Sequence, residues 1–162
     1  MDMARGFIVV ALLAVSLAAC DARRIEKLEE GFSTESDVRA QFGEPTIEQR
    51  LGDGSLRLEY TRQPEGHVNY EIVIGPDGKM ASLRQLLTPA NFARLQAGAT
   101  QAQVRQALGA PGKVQAFPLK SEEVWEWRFL DGQESKLFWA TFDKDGRLTT
   151  TTTVQDPRHT AS

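Results

Sequence analysis

Cysteine and histidine are nearly missing from this 162-residue chain, which has one of the first, Cys20, and two of the second, His67 and His159. A single cysteine excludes an intramolecular disulfide. Zinc centres and nucleophilic triads need His, Cys and carboxylate groups at tight spacing, and neither histidine stands in such a pattern. Excess positive charge is missing too: 19 Lys and Arg against 22 Asp and Glu give a net charge of -3 and a pI near 5.5. Phosphate neutralisation needs a basic surface, so nucleic acid is not an expected partner. Asp143-x-Asp145-Gly146 begins like a calcium loop, but the position where the bidentate Glu belongs, residue 154, is Val. It reads as a hairpin turn. Carboxylates are plentiful without a pair set apart for acid-base work, and neither a catalytic residue nor a metal site is expected.

What is present begins at the N-terminus. Arg5, the apolar run Phe7 to Leu17 and Leu17-Ala18-Ala19-Cys20 form the cationic start, apolar segment and small-residue cut of a secretory signal. The run falls short of the ~20 residues that a spanning helix needs. Residues 1–19 are therefore expected to be removed, and residues 20–23 to form a tether. The chain as a whole, 41% hydrophobic and 25% charged, has a globular composition, and what remains after the tether carries the fold.

That remainder says one thing twice. Gly31-Phe-Ser-Thr-Glu-Ser-Asp-Val-Arg-Ala-Gln-Phe-Gly-Glu-Pro45 and Gly98-Ala-Thr-Gln-Ala-Gln-Val-Arg-Gln-Ala-Leu-Gly-Ala-Pro111 each spell a short helix. Thr34 and Thr100 are N-caps, and Asp37 and Gln103 can complete capping boxes. Val38 with Phe42, and Val104 with Leu108, are apolar pairs four residues apart, and Gly then Pro ends each helix. A shorter helix is expected before each, around Ile25 and Leu28 and around Phe92 and Leu95. After each, the pattern turns to period two: Leu56, Leu58, Tyr60 and Tyr70, Ile72, Ile74 in one copy, Trp125, Trp127 and Phe138, Ala140, Phe142 in the other. Turns fall at Gly75-Pro-Asp-Gly78 and Asp143-Lys-Asp-Gly146. These features predict an α+β fold of two tandem ααβββ repeats, residues 24–89 and 90–157, with helices packed on antiparallel sheets and a frayed tail at 158–162.

With the apolar positions facing the helices, Glu59, Glu71, Val73, Glu126, Arg128, Leu137, Trp139 and Thr141 fall on the opposite sheet face. Trp139, with Leu137, Arg128 and Glu126 around it, is the candidate partner-binding anchor, since aromatic and Arg residues concentrate at contact hot spots. The other reading of Trp139 is that it seals the seam between the repeats. Thr149 to Thr153 is an unbroken run of β-branched residues, whose polarity points to an exposed or edge strand, with a buried seam as the other reading.

The order Leu-Ala-Ala-Cys, then Gly-x-Thr-x-x-x-Val-x-x-x-Leu-Gly-x-Pro, then strands with an Asp-Gly turn resembles the SmpA/OmlA family, the BamE lipoproteins. Leu17 to Cys20 resembles their lipobox, which implies diacylglycerol on the Cys20 thiol and an acyl chain on its amino group, and no other cofactor. Several chains bind a membrane stably where one binds marginally. The resemblance implies a non-catalytic accessory subunit of outer-membrane β-barrel assembly, touching other subunits and membrane lipid from the periplasm. That resemblance favours the outer membrane, whereas Asp21 directly after the modified Cys resembles an inner-membrane retention signal and leaves the inner membrane open. The tandem arrangement also looks like that of the β-lactamase inhibitor proteins, which implies an inhibitor-like or ligand-binding module as the alternative. Metabolic labelling tests the tether: palmitate should enter the full-length chain, and Cys20→Ala should abolish the label and leave the precursor uncut.

Overall fold

The computed structural model describes residues 21–158. The signal segment, Cys20, His159 and the rest of the tail lie outside the described residues. After a helical turn at residues 21–25 come α1 (Glu35–Phe42) and strands β1 (Ile47–Arg50), β2 (Leu56–Thr61), β3 (Asn69–Ile74) and β4 (Met80–Gln85). Then follow a one-turn α2 (Pro89–Phe92), α3 (Gln101–Leu108), and strands β5 (Lys113–Phe117), β6 (Glu122–Asp131), β7 (Glu134–Phe142) and β8 (Leu148–Gln155). A 3-10 turn at Pro118–Lys120 links β5 to β6. The strands form two antiparallel sheets, ordered β1-β2-β3-β4 and β5-β6-β7-β8.

Each sheet therefore has four strands where the sequence pattern predicts three. The additional ones, β1 and β5, are exposed at every residue. With both faces open and only four or five residues each, they lack the longer run of buried alternating side chains by which a strand is recognised.

The two eight-residue helices obey their capping signals. Thr34 Oγ1 accepts the Asp37 N–H at 3.3 Å, and Asp37 Oδ2 accepts the Thr34 N–H at 2.8 Å. The same box closes between Thr100 and Gln103 at 3.1 and 2.8 Å. Val38, Phe42, Val104 and Leu108 are all buried. Beyond the helix ends Gly43 (φ 80, ψ -156) and Gly109 (φ 75, ψ -168) occupy a region open essentially to glycine alone.

The chain divides into two compact units: residues up to Leu58 with Ile72–Leu83, and Glu59–Glu71 with residues from Arg84 onward. In the first, Val38, Phe42, Leu56, Leu58, Ile72, Ile74 and Met80 are buried. Arg39 donates Nε–H to Glu35 at 2.8 Å and Nη2–H to Glu48 at 2.6 Å, and pairs with Glu44. Glu48, then Glu35, raise the affinity of its guanidinium for the proton.

In the second unit Phe92 stacks on Phe138 with ring centres 4.0 Å apart and meets Phe129 edge-on at 4.7 Å, beside Val104, Leu108, Trp127, Ala140 and Phe142. The segment Glu59–Glu71, the far end of the β2–β3 hairpin, grips the end of α3. Asn69 Nδ2 donates to the carbonyls of Leu108 and Ala110 at 2.8 and 2.9 Å, and its Oδ1 accepts from Thr61 Oγ1 at 2.6 Å. Glu59 Oε1 accepts the Ala110 N–H and an Arg105 Nη1–H, both at 2.8 Å. Glu59, expected on an open face, is thus buried, and it is tolerable there because each buried charge has partners. Helix ends leave carbonyls without intrahelical partners, and Asn69 supplies one.

Two predictions follow from the helix ends. A Cβ on Gly109 would stand 2.9 Å from Asn69 Nδ2 and 3.1 Å from Glu59 Oε1, whereas one on Gly43 would meet nothing. Gly43→Ala should cost roughly 1–3 kcal/mol for its backbone conformation alone, and Gly109→Ala distinctly more, as read by urea unfolding. Asp37 holds its proton less tightly than the ordinary value of 3.8, because the Thr34 N–H and hydroxyl donate to its carboxylate. A depressed folded value means stabilisation that is complete above 3.8 and lost as pH falls through the folded value. Acid should therefore release the Thr34 amide but not the Thr100 amide, whose partner Gln103 does not titrate; amide exchange of the two reads this out.

Candidate interaction face of the second sheet

Antiparallel register decides which side chains share a face. Lys113 lies across from Glu126, Glu126 from Trp139, and Trp139 from Thr152. The row on one side is Gln115, Val124, Thr141 and Thr150; on the other it is Arg128, Leu137 and Val154. The four residues singled out in the sequence, Glu126, Arg128, Leu137 and Trp139, therefore stand side by side on the face turned away from Phe138, Ala140 and Phe142.

They do not share one environment. Trp139 is half-buried, and its indole N–H donates to Glu126 Oε2 at 2.7 Å, so the ring's polar edge is satisfied across the strand pair. Arg128 and Leu137 are buried, 7% and 6% exposed. Gln63 reaches the β6 backbone there, its Nε2–H donating to the Arg128 carbonyl at 2.8 Å and its Oε1 accepting the Arg128 N–H at 2.9 Å. The Arg128 guanidinium is spent on fully buried Asp156: Nη2–H donates to Oδ1 at 3.3 Å, and Nε lies 2.8 Å from Oδ2 with its N–H aimed elsewhere. This burial corrects the expectation for Arg128 and Leu137, neither of which is freely presented to a partner. The exposed part of the face is Trp139 and Glu126 with Lys113, Gln115, Val124 and the Thr150 and Thr152 side chains.

Sequence reading missed the cluster at the covered end. Ser135 donates its hydroxyl to Asp156 Oδ2 at 2.8 Å, and His67 Nε2 lies 2.9 Å from Ser135 Oγ, as donor given where the serine proton points. In a nucleophilic triad the histidine stands between serine and carboxylate and takes the serine proton. Here serine stands in the middle and its proton goes to the carboxylate, so the chain of bonds pins the residue 63–68 loop to β7. Asp156 stood in the sequence only as the end of a repeat, with partners 21 and 28 residues away, and Gln63 and His67 find theirs 65 and 68 residues away.

Asp143 Oδ1 accepts the backbone N–H groups of Asp145 and Arg147 at 2.9 Å, which is turn geometry. Thr149 to Thr153 are exposed and lie in β8, at the edge of the sheet. Among the described residues no three His, Cys, Asp or Glu side chains are grouped to hold a metal ion. No helix among them is long and apolar enough to cross a membrane.

No protein-family model matches the chain, and no curated protein matches it. Among solved structures it is similar to an osmotically inducible lipoprotein, OsmE, at 17% identity over 40% of this chain and 68% of the other, with a TM-score of 0.37. It is also similar to the DUF4309 family protein YjgB of Bacillus subtilis, at 19% identity over 80% and 82% of the two chains, TM-score 0.31. A Streptococcus mutans protein assigned as a β-lactamase inhibitor protein matches at 11% identity over 83% and 94%, TM-score 0.33.

The Arg128–Asp156 pair makes its own prediction. Asp156→Asn strands a buried guanidinium and should cost about 3–5 kcal/mol. Replacing both members, Arg128→Met with Asp156→Leu, should cost clearly less than that single change in the same urea titration.

Proposed function

We propose that this protein is a periplasm-facing lipoprotein, held to a membrane by acyl chains on Cys20, that serves as a non-catalytic scaffold in outer-membrane β-barrel assembly. We propose too that it is a tandem duplication of one unit. Supporting the duplication, α1 and α3 share their length, Thr capping box, terminal glycine conformation and four following strands. Isolated bridges tie the start of each helix to the last turn of its own sheet, Thr34 to Lys79 and Thr100 to Arg147.

The observation that carries the scaffold reading is how the charged groups are used. Arg39, Glu59, Arg105, Arg128 and Asp156 hold the chain together through ion pairs. What faces outward on the second sheet is an aromatic-centred contact surface around Trp139. Such a surface binds by shape and burial and carries no group poised for bond-making. The test is crosslinking of the full-length protein in cells. Subunits of the β-barrel assembly machinery should be captured, and Cys20→Ala should lose them. Recovery with none of these subunits counts against the reading.

The half-exposed Trp139 also favours a second reading, a module that captures a periplasmic enzyme on this face. Trp139→Ala should then weaken the complex by at least about 2 kcal/mol, as a hot spot does. Calorimetry with the captured enzyme measures it, and unchanged affinity removes that reading.

A further inference from the structure

Edge strands expose a row of unpaired N–H and C=O groups, and proteins ordinarily blunt them with charge, proline or a covering segment. In β1 the edge carries Glu48, tied to Arg39, and Arg50. The β8 edge is different. From Thr149 through Gln155 it has no charge and no proline, and five consecutive threonines are exposed. Threonine is among the strongest strand formers, so the segment is held extended and ready to pair.

The structure also fixes how much of this edge is open. At the N-terminal end Leu148 is already taken, donating its N–H to Ala99 at 2.8 Å and accepting the Gly98 N–H at 2.7 Å. At the other end Asp156 directs its N–H inward to Ser135 on β7 at 3.2 Å. Backbone groups of successive strand residues point to opposite sides, so counting back from Asp156 turns those of Gln155, Thr153 and Thr151 away from β7. Between the occupied Leu148 and Asp156 the open edge is thus residues 149–155, and its midpoint is Thr152.

We propose that this edge pairs with the same edge of a second copy of the chain, antiparallel about a two-fold axis at Thr152, joining two four-stranded sheets into one of eight. A two-fold contact demands a surface complementary to itself. Pairing about Thr152 sets Thr151 against Thr153, Thr150 against Val154 and Thr149 against Gln155. The outward backbone groups of Thr151 and Thr153 meet, threonine lies across from threonine, valine or glutamine, and no charge stands in the paired run. Shifting the centre to Thr151 would drive Val154 of one copy against Leu148 of the other, where Gly98 and Ala99 already sit. An edge of this length buries less than the ~1,600 Å² of a standard interface, so the dimer forms and dissociates with concentration.

Sedimentation velocity of the full-length chain over a concentration series is the test. A monomer–dimer equilibrium is expected, and Thr152→Lys, which puts two ammonium groups at the axis, should weaken it about tenfold or more while leaving the circular dichroism spectrum unchanged. Under mild oxidation Thr152→Cys should give a covalent dimer in far greater yield than Cys at exposed Lys144, since residues paired at the axis lie within disulfide reach. A wild-type chain that stays monomeric throughout overturns the proposal. So does undiminished dimerisation of the lysine variant, or equal crosslinking at residues 144 and 152. Capture of a different polypeptide at residue 152, without self-crosslinking, overturns it as well.

Discussion

The end of α3 is the point on which the second unit turns. Eight residues of helix are marginal in water, and their last carbonyls need partners that the helix cannot supply. From the β2–β3 hairpin, earlier in the chain, Asn69 donates to the Leu108 carbonyl and Glu59 accepts the Ala110 N–H just beyond it, and together they draw Glu59–Glu71 into the unit that begins again at Arg84. Only a residue without a side chain can stand at 109 for this to happen, because the backbone turns left-handed there and the two polar groups press against it.

Charge in this protein is largely structural. Arg39 gathers three carboxylates, Arg105 takes Glu59, and Arg128 takes Asp156. The exposed members of this set contribute little each, whereas the Arg128–Asp156 pair is costly to break because either partner would be left buried alone. It also explains why half of the predicted contact face is closed. Once Asp156 and Gln63 hold Arg128, the surface left outward is the Trp139 end and the uncharged rim of β8.

Sequence legibility followed coverage by neighbours. Strands β2 and β3 were readable because apolar side chains alternate toward a core, and both capped helices because their caps are local, three residues across. β1 and β5 escaped notice because both of their faces meet water. The shared face of Glu126, Arg128, Leu137 and Trp139 followed from period-two alternation alone. Its division into a covered and an open end did not.

By itself the sequence determined the local units: where helices start and stop, where turns fall, which residues alternate, and that one cysteine cannot make a disulfide within the chain. Each of these rests on interactions between residues a few positions apart. Tertiary structure alone decided that Arg128 and Glu59 would be buried, that His67 would meet Ser135, and which of its open readings the threonine run would take, the edge of a sheet and not a seam. Those outcomes depend on which distant segments come to lie side by side, and composition and spacing carry no record of that.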